Sequence, residues 1–133
     1  MDAKKRILVI DDDEDFRDSV TTILEHEGYV VAAATSGREG LEQIERVRPD
    51  LVVLDIMMDD PSEGYGVNQA IKYQPRYQQF QDVPILMVSS IEETPDERFA
   101  WASEVAMIRP DRYLTKPLDV PSFLATVRQL ARA

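Results

Sequence analysis

The sequence predicts an α/β protein with a doubly wound, five-stranded parallel sheet and helices on both faces. Short apolar runs alternate with amphipathic segments along the 133 residues. The runs are apolar at consecutive positions, which is typical of strands covered by helices on both sides. Strict alternation of strand and helix with right-handed crossovers favours a parallel sheet. For five such units the strand order 2-1-3-4-5 is a common solution.

Five apolar runs supply the predicted strands. They cover residues 7–10, 29–34, 51–54, 83–88 and 112–115. The third run, LVVL, is β-branched and aliphatic throughout, which predicts a strand buried on both faces. Parallel strands end at the same edge of a sheet. The residues directly after each run are therefore expected to lie at that edge.

Five helices are predicted between and after the strands. The first follows Asp13 and ends at Gly28, where a left-handed stop is favoured. Ser36 and Glu39 have capping-box spacing and open the second helix. The loop 59–66 precedes a third helix that ends before Pro75. Helix starts are also predicted near Pro95 and after Asp119 from a proline at the first turn and from a capping residue.

Composition excludes several classes of protein. The formal net charge is -10, which disfavours direct binding to nucleic acid or anionic lipid. There is no cysteine, so a disulfide scaffold and thiol catalysis are excluded. No apolar stretch approaches the ~20 residues that span a bilayer. The amino-terminal residues do not form a signal peptide, and a cytoplasmic location is expected.

Two predicted strands end in acids and one in a lysine. Asp11 and Asp12 follow the first strand, Asp55 follows the third, and Lys116 follows the fifth. The first and third strands are neighbours in the predicted order, and their helices leave on opposite faces, which opens a crevice at their carboxyl ends. Clustered carboxylates repel one another unless a basic group or a cation joins them. All-oxygen ligands at such a site favour Mg²⁺.

The neighbouring residues indicate a phosphoryl ligand. Lys116 can neutralise an anion that the metal also contacts, and Ser89 after the fourth strand can donate a hydrogen bond to it. Ser90 is an alternative donor. Asp55 is the acid nearest the centre of the sheet and can attack phosphorus as a nucleophile, which gives an aspartyl phosphate.

Each of these residues also has a purely structural interpretation. Acids at 11–13 can cap the first helix, and Asp13 has the best position for it. Asp55 can be a solvated loop residue, Lys116 a surface lysine, and Tyr113 an edge-strand packing residue. Three acids exceed what a helix cap uses, and this favours the functional interpretation.

The motifs resemble those of receiver domains in two-component response regulators across essentially the whole chain. The resemblance lies in ILVIDDDED, PDLVVLDIMM, VPILMVSS and YLTKPL, which occur in the family's order. It implies a flavodoxin-like (βα)5 fold, with 1–133 as a single receiver domain and no output domain. It also implies a phosphoacceptor signalling domain, not an enzyme, that catalyses only its own phosphorylation and dephosphorylation.

This resemblance implies a role for each matching residue at the acidic site. Asp12 binds Mg²⁺ directly, and Asp11 binds it through water or acts as a second acid. Asp55 accepts the phosphoryl group and also ligates the metal. The main-chain carbonyl of Met57 completes the protein ligands. Lys116 contacts the phosphate, and the peptide bond after it, before a proline, is cis.

The resemblance further implies a switch and partners. Ser89 and Tyr113 form the switch pair, which reshapes the face made by the fourth helix, the fifth strand and the fifth helix. A sensor histidine kinase or phosphotransfer protein donates the phosphoryl group, a downstream protein binds the switching face, and a homodimer is compatible with this scheme. Two other functions stay open, namely an unphosphorylated interaction module and a metal-dependent phosphatase or flavodoxin-like binder. The complete set of Asp12, Asp55, Ser89 and Lys116 argues against the first. Against the second, three aspartates follow the first strand where a flavin site needs a Ser/Thr/Gly-rich anion cradle, and the candidate nucleophile is on the third strand where such a phosphatase needs it on the first.

Overall fold

A computed structural model describes residues 4–55, 61–89, 112–116 and 118–131. Its sheet has five strands in the order β2-β1-β3-β4-β5, and every neighbouring pair is parallel. The strands are β1 Arg6–Ile10, β2 Val30–Ala34, β3 Leu51–Asp55, β4 Ile85–Ser89 and β5 Arg112–Thr115. The fold class and strand order predicted from the sequence are confirmed.

Helices follow the strands as expected. They are α1 Glu14–His26, α2 Gly37–Val47, α3 Pro61–Tyr73, a 3₁₀ helix Pro75–Phe80, and a last helix Val120–Leu130. The helix predicted to start near Pro95 lies outside the described residues. No described helix combines the length and the apolar character that a membrane crossing requires.

Side-chain caps fix where three of these helices begin. Asp13 Oδ1 accepts hydrogen bonds from the main-chain N–H groups of Asp15 at 3.0 Å and Phe16 at 3.4 Å. Ser36 and Asp119 cap α2 and the last helix in the same way. Hydrogen bonds from the Ser122 side chain and main chain also hold the pKa of Asp119 below its usual value. The helix starts predicted from capping residues are therefore correct at these three places.

The strand side chains alternate between two cores, one on each face of the sheet. In β1, Ile7 and Val9 face a core that contains α1 and the last helix, whereas Leu8 and Ile10 face a core that contains α2 and α3. All five residues of β3 are buried. Because α1 and α3 pack on opposite faces after the adjacent strands β1 and β3, the crevice expected from the topology is present.

The start of α3 differs from its prediction. Residues 59–66 were predicted to form a loop, but α3 begins at Pro61, and residues 59 and 60 lie outside the described part of the chain. Proline at the first helical position presets the backbone for a helix. Each of the two glycines in this segment costs about 1 kcal/mol in a helix interior. Burial of Val67 and Ile71 against the sheet offsets that cost.

The region between α3 and β4 also differs in detail. The 3₁₀ helix was not predicted, and it buries Tyr77 and Phe80 in the core beneath α3. The fourth strand was expected over 83–88, but β4 extends to Ser89. Ser89 therefore closes the strand instead of following it, and it pairs with Thr115 of β5.

The close approach of α2 to β1 predicts a stability change. A Cβ atom on Gly40 would meet the Ile10 side chain, at 2.8 Å from Cγ1. We expect Gly40→Ala to lower the free energy of unfolding by about 1–2 kcal/mol, because overpacking outweighs the gain in helix propensity. Gly66→Ala is the matched control, since open space surrounds that position, and it is expected to stabilise the protein by about 0.5–1 kcal/mol. Urea denaturation measures both, and equal effects would contradict the steric explanation.

Candidate functional site

Three acids predicted from two separate motifs meet at one edge of the sheet. Ile10 of β1 pairs with Leu54 of β3, so the next residues, Asp11 and Asp55, emerge side by side. Carboxylate oxygens of Asp11, Asp12 and Asp55 all lie within 4.8 Å of one another. Asp11 is 1% exposed and Asp55 is 3% exposed, whereas Asp12 faces solvent. The cluster therefore consists of two buried acids and one that faces solvent.

The protein fixes Asp11 at the strand end with three hydrogen bonds. Its main-chain N–H donates to Ala34 O of β2 at 3.1 Å. Its Oδ1 accepts from the Asp13 N–H at 2.8 Å. Arg17 Nη1 donates to its main-chain carbonyl at 2.8 Å. The N–H of Asp13 therefore links Asp11 to the start of α1, and the carboxylate of Asp13 caps that helix.

Lys116, which is 105 positions from Asp11 in the sequence, brings a positive charge to this cluster. Its Nζ lies 3.1 Å from Asp11 Oδ2 and 3.7 Å from Asp55 Oδ1. It also lies 3.9 Å from the centroid of the Phe16 ring. The lysine side chain is 20% exposed. This contact set excludes the interpretation of Lys116 as an ordinary solvated surface lysine.

The charges at the site are unbalanced. Three carboxylates face one ammonium group, an excess of two negative charges among these four side chains that the Arg17 guanidinium at the Asp11 carbonyl offsets only in part. Two carboxylates at a separation near 4.8 Å repel each other by about 3 kcal/mol at an effective dielectric constant of about 20. A bound divalent cation would remove this excess. The cluster could therefore bind a metal ion, and its oxygen donors are of the kind that hard ions take.

Four predicted site residues are described only in part or not at all. Met57 lies outside the described residues, as does the proline after Lys116. Ser89 ends β4, one position beyond Val88, which is the partner of Asp55, so its backbone is at the same edge of the sheet. Tyr113 is on the edge strand β5, opposite Met87. The side chains of Ser89 and Tyr113 are outside the description, and their switch roles stay predictions.

Sequence reasoning missed two residues at the site. Phe16 was not predicted as a site residue, yet its ring contacts the Lys116 ammonium. Arg17 was given no role, yet it holds the Asp11 carbonyl. Both lie in the first turn after the acids, and that proximity in the chain is the signal that could have found them.

Comparison with known proteins agrees with the geometry. Residues 7–128 match the family described as the response regulator receiver domain. The chain belongs to this family. It is a receiver domain of two-component systems, a signalling domain and not a conventional enzyme. The partner class of such regulators is the histidine kinase.

Individual relatives support the assignment. The receiver is 37% identical to a "DNA-binding dual master transcriptional regulator RpaA" from Synechocystis over 96% of this chain and 49% of that protein. It is 28% identical to the chemotaxis protein CheY4 of Vibrio cholerae, with a TM-score of 0.79 and coverage of 96% and 99% of the two chains. A CheY-like receiver from Methanospirillum hungatei is 30% identical with a TM-score of 0.78, covering 97% of this chain and 94% of that one. The chain spans about half the length of the curated relatives it matches.

Proposed function

We propose that this receiver accepts a phosphoryl group on Asp55 from the phosphohistidine of a sensor histidine kinase or phosphotransfer protein, in a reaction that requires Mg²⁺. The single observation that carries the proposal is the convergence of Asp11, Asp12, Asp55 and Lys116 at one edge of the sheet. Three carboxylates beside one ammonium group suit a divalent ion and a transferred anion together.

Asp55 is the proposed nucleophile because of its position. It is the last residue of the central strand β3, is 3% exposed, and lies within 4.8 Å of the other two carboxylates and 3.7 Å from Lys116 Nζ. One carboxylate oxygen forms the bond to phosphorus while the bond from phosphorus to the histidine nitrogen breaks. The imidazole keeps the electron pair and takes up a proton. The product is an aspartyl phosphate with neutral histidine as the leaving group.

The acids and the lysine divide the charge of the transferred group. Asp11, Asp12 and Asp55, with the Met57 carbonyl, would hold Mg²⁺, which supplies positive charge for the phosphoryl oxygens. Lys116 neutralises a further oxygen, and its short distance to both buried acids supports this role. By the same chemistry the chain's own residues promote phosphorylation and dephosphorylation of Asp55.

Phosphorylation of Asp55 must then change a surface that a partner protein recognises. Ser89 is the proposed hydroxyl donor to the phosphoryl group, and Tyr113 on β5 is the proposed aromatic partner of the switch. The downstream protein would bind the face that β5 and the last helix share with the helix predicted near Pro95. A homodimer through the same face is compatible with this scheme.

The domain and its setting are proposed as follows. Residues 1–133 form one receiver unit that works in the cytoplasm, without direct contacts to nucleic acid or membrane. One curated relative is named a DNA-binding transcriptional regulator and is about twice as long as the matched region. In a longer protein, a separate output region would make any DNA contacts.

Chemical phosphorylation tests the proposal. The native chain is incubated with acetyl phosphate, with Mg²⁺ or with EDTA, and its intact mass is measured before and after hydroxylamine treatment. A single phosphoryl adduct that needs Mg²⁺ and is released by hydroxylamine is the expected result, since hydroxylamine cleaves acyl phosphates. No adduct with Mg²⁺, or an adduct that survives hydroxylamine, contradicts the proposal.

A further inference from the structure

We propose that Phe16 is a positioning residue for Lys116, and that its ring face holds the ammonium group at the acidic edge when a metal ion takes over the carboxylates. This inference rests on the proposed function. It concerns a contact of this chain that strand order does not dictate, since Phe16 lies on α1 and Lys116 follows β5.

The contact has the geometry of a cation–π interaction. Lys116 Nζ lies 3.9 Å from the centroid of the Phe16 ring, close enough for the negative face of the ring to attract it. The lysine side chain is 20% exposed, so solvent competes little for the ammonium group. Such contacts are stronger when they are partly desolvated. The Phe16 ring therefore helps to hold the Lys116 ammonium group in this position.

Phe16 is itself firmly held. Its main-chain N–H donates to the capping carboxylate of Asp13 at 3.4 Å. Its ring is half-buried and packs against the core shared by α1 and the last helix. Val20, one turn further along α1, is fully buried in that core. The packed Phe16 ring therefore has less conformational freedom than the long side chain of Lys116.

The other contacts of Lys116 are with residues that would hold the metal. Its ammonium lies 3.1 Å from Asp11 and 3.7 Å from Asp55. A divalent ion on those carboxylates competes with the ammonium for the same negative charge. The ring of Phe16 carries no net charge and is not a metal ligand. It is therefore the contact of Lys116, among those the structure describes, that metal binding leaves in place.

Two substitutions separate the ring face from the apolar volume. Phe16→Leu keeps an apolar side chain but removes the ring, whereas Phe16→Tyr keeps the ring. With acetyl phosphate and saturating Mg²⁺, we expect Phe16→Leu to lower the phosphorylation rate about 3- to 10-fold. Phe16→Tyr is expected to stay within about 2-fold of the native rate. An unchanged rate in Phe16→Leu overturns the inference.

A spectroscopic measurement tests the contact without metal or donor. In the metal-free protein, the ring should shift the NMR resonances of the Lys116 ε-methylene protons upfield. The shift is expected in the native chain and in Phe16→Tyr, and it should be lost in Phe16→Leu. Its absence from the native chain overturns the inference.

A control variant distinguishes positioning from general loosening of the core. Leu124 of the last helix is partly buried against the same core. Leu124→Ala should lower thermal stability and leave the phosphorylation rate near the native value. If Leu124→Ala slows phosphorylation as much as Phe16→Leu does, the inference fails. Failure of the proposed function looks different, because then the native chain itself is not phosphorylated on an acid, and the inference falls with it.

Discussion

Replacing Asp55 with asparagine is expected to abolish phosphorylation by acetyl phosphate, with a rate at least about 1,000-fold below that of the native chain. Asparagine has the same shape but is not a nucleophile for phosphorus. Asp55 is 3% exposed and ends the central strand, so asparagine should fill its position without moving the strand. Intact-mass analysis over a time course measures the rate.

The same substitution should stabilise the metal-free protein. Asp55 lies within 4.8 Å of two other carboxylates and 3.7 Å from one ammonium group, so its charge meets more repulsion than attraction. We expect Asp55→Asn to raise the free energy of unfolding by about 1–2 kcal/mol without metal. Saturating Mg²⁺ should stabilise the native chain more than the variant.

Asp13→Asn is the matched control for this experiment. It removes one negative charge from the same acidic run, and asparagine caps helices as well as aspartate does. Phosphorylation of this variant should remain near the native rate. An adduct on Asp55→Asn at the native rate, or its loss in Asp13→Asn alone, would show that the acceptor has been assigned to the wrong residue.

Lys116→Met is expected to change metal binding and phosphoryl transfer in opposite directions. In the native chain the Lys116 ammonium group lies 3.1 Å from Asp11 and 3.7 Å from Asp55, and it neutralises part of the charge that would hold the metal. Removing this competing charge should raise the apparent Mg²⁺ affinity on the order of 10-fold. The phosphorylation rate should fall about 100-fold or more, because a charge that stabilises the transferred group is lost. Calorimetric titration with Mg²⁺ and a phosphorylation time course measure the two effects.

Lys4→Met controls for net charge. It removes the same unit charge from an exposed lysine that precedes the opposite end of β1. Neither Mg²⁺ affinity nor phosphorylation should change by more than about 2-fold. A weaker Mg²⁺ affinity in Lys116→Met would mean that the lysine helps to assemble the acids more than it competes for them.

The fold could be predicted because its signals are repeated along the chain. Five apolar runs separated by capped, amphipathic segments leave few alternatives to a parallel sheet, and the observed order is the expected one. The start of α3 could not be predicted in this way. Gly64 and Gly66 carry a local preference against helix, and the burial that overrides it depends on tertiary packing. The 3₁₀ helix after α3 was also missed, because the core packing of Tyr77 and Phe80 that accompanies it has no periodic signal in so short a segment.

The acidic cluster was predictable from strand order alone. Parallel neighbours bring their carboxyl ends to one edge, so Asp11 and Asp55 had to emerge together once β1 and β3 were adjacent. Which carboxylate Lys116 contacts was not predictable, since that depends on differences of about 1 Å in side-chain position. The ring of Phe16 beneath the ammonium group was not predictable either, because an aromatic residue on an apolar helix face has the same sequence signature whether or not a cation lies above it.

The ion pair between Lys116 and Asp11 joins residues 105 positions apart in the chain. During synthesis, the strands that carry the acids leave the ribosome long before β5 does. Until β5 joins the sheet, the nascent polypeptide has its carboxylates without their counter-charge. A nascent chain that ends before Lys116 lacks the ammonium group that the proposed phosphoryl transfer uses, and we expect it not to be phosphorylated.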